Sequence, residues 1–429
     1  MSYYRLKEAL LGVTAGLLFW LAFSKWGLFF LLPPAFLLAL RGSLLRFTLF
    51  GFTGLLLSLR WVVMPSLLGG VKPVFAYAGL VLLVAFLTLY QFLLPYLLWV
   101  KLKRRPELFP FLYALAELAR SFFPYGGFPW LLVGAPFVEL ELLAPLYRYY
   151  TVYGVGLLVL WLTLTPLLKR KALLALPFLA VLALPQPEVR LGVKVALVQP
   201  AVPQEVKLDL YAFVRTYPEL VRLVRRAVEA RPDAVFLPET ALPFYLEELP
   251  ERAGELLELS KKAPIVLGVI DYSGRAPKNA VVLLKDGKVA AVYHKTLLVP
   301  FGEYTPFPFR YLAPLVPYFA LTDYAPGDGP KCLKLGRFTV GTPVCFEVAY
   351  AHYVRSFSCD FLAVLTNDAW FLDSDGTYQH FTLARVRAAE LSRFVLWVNN
   401  LGPSAVIGPR GEVIALLPYA RKGVLLSSF

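Results

Sequence analysis

The chain is poor in the residues that most often carry metal or redox chemistry. Its 429 residues include three cysteines, three histidines and two methionines. Three cysteines are too few for a disulfide-built scaffold. The histidines, His294, His352 and His380, lack the paired spacing of a metal site; no metal or other cofactor is expected. No Gly-x-Ser-x-Gly occurs, which removes the serine elbow of many hydrolases. Charge is scarce as well. Only 17% of residues are charged, against about 25% in soluble domains. With 58% hydrophobic residues and a mean hydropathy of +0.61, there is ample apolar surface to bury, which excludes disorder. The long apolar runs all lie in the first half, which excludes an ordinary cytosolic enzyme. The length suits two or three units.

The net charge is +14. A basic soluble protein would invite a nucleic-acid partner, but here the basic residues form short clusters between apolar runs, as membrane topology demands. No nucleic-acid partner is expected. The runs read as about seven spans: Glu8–Ser24, Trp26–Leu40, Phe47–Val63, Ala76–Val100, Leu108–Phe123, Thr151–Leu168 and Ala172–Leu184. Arg5 and Lys7, then Arg41 and Arg46, then Lys101, Lys103, Arg104 and Arg105, then Lys169, Arg170 and Lys171 mark one side of the bilayer. The alternate loops carry less. That bias places the N-terminus inside and everything after Gln186 outside. Glu117 and Arg120 in span five, and the loop from Pro124 to Tyr150, stand out because ionisable residues at membrane depth are functional candidates.

From Leu191 the texture becomes α/β. Strands are expected at Gly192–Val198, Ala234–Leu237, Ile265–Val269, Ala280–Leu284, Lys288–Tyr293, Phe338–Val344, Phe361–Thr366, Val395–Asn399, Ser404–Gly408 and Val413–Leu417. Helices are expected at Asp209–Ala230, with Pro218 a kink or a break, and at Glu251–Lys262, Val348–Phe357 and Phe381–Phe394. The reading is thus a membrane domain over 1–188 followed by an α/β catalytic domain over 189–429.

Three residues close strands: Glu239, Lys295 and Cys345. Sites in α/β sheets collect at the carboxyl ends of strands. A cysteine, a glutamate and a lysine gathered there supply a nucleophile, a general base and a cation for a tetrahedral oxyanion. A helix N-terminus after Cys345 would favour its thiolate. Taken singly, each has a plainer reading: a small buried hydrophobe, an acid in a helix first turn, a surface charge.

The segments around these residues occur together in one family. Leu237-Pro238-Glu239, Lys295 through Leu298-Val299-Pro300-Phe301-Gly302-Glu303-Tyr304, Val344-Cys345-Phe346-Glu347, Asn367-Asp368-Ala369-Trp370-Phe371, Gln379-His380-Phe381, Asn399-Asn400 and Gly127-Phe128-Pro129-Trp130 stand in the order seen in apolipoprotein N-acyltransferases. The chain resembles that family over nearly its whole length, and its outer half resembles the nitrilase, or carbon–nitrogen hydrolase, αββα sandwich. The resemblance implies a Glu239–Lys295–Cys345 triad supported by Glu303, Glu347 and Phe346. It implies transfer of an sn-1 acyl chain from a phospholipid, typically phosphatidylethanolamine, through a Cys345 thioester to the N-terminal amine of a diacylglyceryl-cysteine lipoprotein. A bacterial inner-membrane location and a monomer go with it. A membrane-tethered amidase with water as acceptor is the alternative. With Cys345 free as nucleophile, Cys332 and Cys359 are the one compatible disulfide pair. The chain departs from the family at Leu237 and Phe346, at Lys207-Leu208 where Lys-Trp is common, and in having no apolar span after Gly423.

Overall fold

The computed structural model describes residues 3–164, 173–185, 189–312 and 323–429. The chain divides into two compact units: Met1–Leu67, Val71–Gln186 and Ser374–Glu390 form one, and Leu68–Gly70, Pro187–Asp373 and Leu391–Phe429 the other. The division at Gln186 lies close to the expected domain boundary. The stretch Ser374–Glu390 departs from it, since it belongs to the helical unit.

Seven spans were expected. Among the described residues, three helices are long and apolar enough to cross a bilayer: Tyr3–Phe23, Leu44–Leu68 and Pro73–Lys101, of 21, 25 and 29 residues. A span needs roughly 20 residues. Phe29–Leu40 and Leu173–Ala183 are apolar but shorter. Leu108–Arg120 has 13 residues, and its sequence runs on to Pro124, a helix breaker. The helix at Ala144–Thr163 begins before the expected Thr151, and at Thr151 the backbone turns left-handed, with φ +60°. That break frees the Val152 N–H, which donates to Glu390 Oε1 at 2.7 Å. The end of span six and the start of span seven lie outside the described residues.

Small residues let two of these helices touch. A Cβ on Gly16 would stand 2.7 Å from Thr53 Cβ and 2.9 Å from the Gly54 nitrogen, so the Tyr3–Phe23 and Leu44–Leu59 backbones meet directly. Around them Phe19, Phe36, Phe47, Phe50, Phe92 and Tyr113 pack ring against ring.

The helix Asp375–Leu391 starts six residues before the expected Phe381. Its residues up to Glu390 join the helical unit through polar contacts. Gln379 Oε1 accepts from Trp61 and Trp130 Nε1 at 3.0 and 2.8 Å, and its Nε2 donates to the carbonyls of Phe23 and Ser58, both at 3.1 Å. Asp375 accepts from Trp20 Nε1 and the Lys25 N–H.

The second unit is built on twelve strands: β1 (Lys194–Gln199), β2 (Ala234–Phe236), β3 (Ile265–Asp271), β4 (Lys278–Lys285), β5 (Lys288–His294), β6 (Cys332–Leu335), β7 (Phe338–Gly341), β8 (Phe361–Thr366), β9 (Val395–Asn399), β10 (Ser404–Ile407), β11 (Val413–Leu417) and β12 (Gly423–Ser428). They form two six-stranded sheets, ordered β12-β1-β2-β3-β4-β5 and β11-β10-β9-β8-β7-β6. Each has a parallel centre, β1-β2-β3 and β7-β8-β9, flanked by antiparallel strands. The sheets face each other, β1 over β9 and β10, with Phe236 on Phe361. The helix Tyr217–Glu229 covers β1 and β12, burying Leu220, Val221, Val224 and Val228.

Two strands were not expected. β6 is tied to the residue before Asp360 by a Cys332–Cys359 disulfide with a Cα separation of 5.8 Å. β12 pairs antiparallel with β1 from Lys194↔Ser428 to Gln199↔Gly423. The expected helix Asp209–Ala230 is two helices, Leu210–Val214 and Tyr217–Glu229. Asp209 caps the first, and Pro218 sits in the first turn of the second, where its missing N–H costs nothing.

Candidate active site

Glu239 lies just after β2, Lys295 immediately follows β5 and Cys345 follows β7 across a short link. Val344 bridges Leu365 of β8 in parallel, which carries Cys345 to the strand ends. Cys345 itself takes a left-handed backbone, φ +51°. Residues Cys345–Ala349 form a single 3-10 turn, not the expected helix start, and a helix follows only at Ala351–Arg355.

The charges are gathered but unevenly spaced. Lys295 Nζ lies 2.8 Å from Glu303 Oε2, 2.9 Å from Glu303 Oε1 and 3.9 Å from Glu239 Oε1. Asn279 Nδ2 bridges the two acids, donating to Glu239 Oε1 at 2.6 Å and Glu303 Oε1 at 3.2 Å. Glu303 Oε2 also accepts from the Val299 N–H at 2.8 Å, which folds the Pro300–Glu303 turn onto its own carboxylate. Gly268 of β3 lets the chain at Glu239 approach: a Cβ there would stand 2.6 Å from Glu239 Cα.

Electrostatics separate the three roles. Burial raises the Glu239 carboxyl above its ordinary value, with Glu303 adding to it and Lys295, Asn279 and Lys207 opposing. Burial works against the Lys295 ammonium, but Glu303, Cys345 and Glu239 outweigh it and hold the group charged. Burial, reinforced by Glu239, pushes the Cys345 thiol well up, while Lys295 and a hydrogen bond with Thr366 pull it down. The expected helix-favoured thiolate is therefore replaced by a resting thiol, with a carboxyl of raised proton affinity in its surroundings.

Glu347 does something different from its neighbour. It is fully buried. Its Oε1 accepts from the Thr296 and Leu297 N–H groups at 2.7 and 3.0 Å, and its Oε2 from Tyr293 Oη and the Val344 N–H at 2.7 and 2.8 Å. It thus clamps the chain after Lys295 to the chain before Cys345. Phe346 packs its ring on Tyr350, centroids 5.3 Å apart.

The carbon-nitrogen hydrolase family model matches residues 194–428, and that of the apolipoprotein N-acyltransferase N-terminal domain matches residues 15–165. The apolipoprotein N-acyltransferase of Aquifex aeolicus (strain VF5) is 51% identical over 435 residues, 99% of each chain. The chain belongs to the apolipoprotein N-acyltransferase family. The Shewanella oneidensis member is 29% identical, over 94% of this chain and 86% of its own. Among solved structures, an amidase from Nesterenkonia sp. AN1 is similar with a TM-score of 0.42 and 20% identity, over 55% of this chain and 93% of that one. As a family member the chain is an acyltransferase, with apolar N-terminal helices ahead of a carbon-nitrogen hydrolase domain.

In this family member the candidate site includes residues that strand-end reasoning passed over. Asn279 was one residue outside the expected Ala280 strand start. Lys207 reaches Glu239 from the helix Gln204–Leu208. Thr366 and Asp368 belong to a buried amide network: Thr366 Oγ1 donates to Asp368 Oδ1 at 3.0 Å, and Asn399 Nδ2 to Asp368 Oδ2 at 2.7 Å. Next to it Asn400 Nδ2 donates to Asn367 Oδ1, and Asn367 Nδ2 to Gln204 Oε1, both at 2.9 Å. The Asn-Asp-Ala-Trp-Phe and Asn-Asn segments were the only sequence signal for these partners.

Proposed function

We propose that the enzyme takes the sn-1 acyl chain of a phospholipid, typically phosphatidylethanolamine, and delivers it to the N-terminal amine of a diacylglyceryl-cysteine lipoprotein through a Cys345 thioester. In the first half, the Glu239 carboxylate takes the thiol proton and Cys345 Sγ attacks the ester carbonyl. Lys295 stabilises the oxyanion. Collapse breaks the carbon–oxygen bond, and protonated Glu239 gives its proton to the departing glycerol oxygen, releasing lysophospholipid. In the second half, the neutral α-amine attacks the thioester carbonyl and Glu239 takes the amine proton. The carbon–sulfur bond then breaks and Cys345 is reprotonated from Glu239. No proton or electron is left over.

The observation that carries this reading is the separation of charge among three neighbouring groups. Lys295 is held cationic by two acids, and the thiol rests protonated beside a carboxyl of raised proton affinity. That favours Lys295 as an oxyanion donor rather than a proton acceptor. Glu303 and Glu347 act as supports, one for the lysine's charge, the other for the backbone. The enzyme acts as a monomer in the bacterial inner membrane, its N-terminus cytoplasmic and its catalytic domain outside. The clusters of Lys and Arg in alternate loops support that orientation, and so does the Cys332–Cys359 disulfide, since disulfides persist in oxidising compartments.

Phosphatidylethanolamine labelled at either sn-1 or sn-2 tests the reading, with a diacylglyceryl-cysteine peptide as acceptor. Label passing from the sn-1 position to the peptide amine is expected. Release as free fatty acid with the peptide unmodified would instead favour the amidase chemistry.

A further inference from the structure

The Lys207 ammonium donates to the Glu239 carbonyl at 3.3 Å and to Thr240 Oγ1 at 3.0 Å, and it lies 5.4 Å from the centre of the Phe213 ring. The backbone it holds is a strained one. Thr240 adopts φ +44°, a left-handed conformation that strains a non-glycine residue and persists only where surrounding structure enforces it. Gly268 backs the same turn from β3, where the Gly268 N–H donates to the Pro238 carbonyl and the Ala241 N–H to the Gly268 carbonyl. The helix that presents Lys207 is itself fixed, through Gln204 to Asn367 and from there to Asn400. Asn400 also exchanges two hydrogen bonds with Val202, just ahead of the helix.

We propose that Lys207 is a positioning residue for the proton-transfer step: it pins the Glu239–Thr240 turn and supplies a second cation to the base. The inference rests on the role given to Glu239 above. Two lysines then share the work on one carboxylate. Lys295 faces its oxygens, and Lys207 holds its backbone from the short helix that follows β1. The charged and titratable groups around Glu239 are Lys295 from β5, Glu303 and Tyr324 from the following loop, Cys345 after β7, and Lys207. Of these, Lys207 and Lys295 favour the ionised base. Burial of its ammonium depresses Lys207 to about 7 against the pull of Glu239, so its charge is partly present at neutrality and grows as the pH falls toward the range where the base titrates.

The test is the pH dependence of single-turnover acylation of Cys345, measured by intact mass. The full chain is used in detergent micelles with phosphatidylethanolamine as donor, for wild type, Lys207→Met, Lys207→Gln and Lys207→Arg. The Met and Gln variants are expected to acylate about 10–100-fold more slowly, as small misplacements of catalytic groups do. Their acid limb is expected at higher pH, because the base has lost a cation. The Arg variant keeps the charge and should hold the wild-type limb; the Gln variant carries the test if the Met variant does not fold. A uniform loss of rate with an unmoved limb, or an Arg variant shifted as far as Met, overturns the proposal. Failure of wild type to acylate at any pH counts instead against Glu239 and Cys345 as assigned.

Discussion

The Lys295 ammonium is closer to Glu303 than to Glu239, 2.8 Å against 3.9 Å. The cation is therefore anchored by an acid other than the proposed base. That division lets Glu239 gain and lose a proton while Lys295 keeps its charge. Both acids are bridged by Asn279, so the three side chains form one hydrogen-bonded cluster.

Removing the anchor should expose this division. Glu303→Gln leaves Lys295 leaning on Glu239, which lowers the base's proton affinity and draws the cation from its place. Acylation of Cys345 is expected to fall at least about tenfold, and Lys295→Ala to cost about 10²–10³-fold, the worth of an oxyanion donor. Rapid-quench acylation rates decide both, and unaltered rates in Lys295→Ala would remove the lysine from the chemistry.

The pH profile should follow Glu239. The proposed reaction needs its ionised form, and burial raises its pKa. Activity is then lost as pH falls through a midpoint above the ordinary glutamate value of about 4.3. An acid midpoint at or below that value would contradict the assignment. Glu239→Gln should abolish the limb together with most of the rate.

Glu347 should show itself in stability before activity. Its carboxylate satisfies three backbone N–H groups and the Tyr293 hydroxyl in a fully buried place. Glu347→Ala orphans the three N–H groups, while the Tyr293 hydroxyl keeps Tyr353 at 2.8 Å, and each buried unmet donor costs about 1–3 kcal/mol. A melting temperature many degrees lower is expected. An unchanged melt with lost activity would mean that the residue acts on substrate rather than as a clamp.

Gln379 makes a comparable test in the helical unit. Gln379→Leu strands two indole N–H groups and two carbonyls that it now pairs. A loss of about 2–4 kcal/mol is expected from the orphaned donors, read as a lower melting temperature in detergent. A variant as stable as wild type would show that these four hydrogen bonds are not what holds the Asp375–Leu391 helix there.

Glu239, Lys295 and Cys345 were visible because each follows a short β-branched run, and runs of that kind become strands wherever they fall. Their supports were harder to see. Asn279 and Lys207 meet Glu239 from segments roughly thirty to forty residues away, and no local pattern encodes such a meeting. β12 escaped because Gly423–Ser428 is half-exposed and short, with its pairing supplied by β1 across more than two hundred residues. The Asp375–Leu391 helix read as part of the α/β half because it carries Gln379, Arg385, Arg387 and Glu390, which look like a solvated face. All four are buried, and they pair with groups of the helical unit or with each other. The ends of the shorter apolar helices of that unit were not legible, because hydropathy runs on through the turns that interrupt them.

The most direct measurement is the intact mass of the purified protein after incubation with phosphatidylethanolamine, for wild type and Cys345→Ser. The account predicts a fatty-acyl mass gain on wild type that neutral hydroxylamine removes and that a diacylglyceryl-cysteine peptide discharges onto its own amine. The serine variant should show no such hydroxylamine-labile gain. A wild-type protein that passes acyl chains to the peptide at full rate, while its Cys345→Ser variant does so equally well, would contradict a cysteine thioester as the carrier.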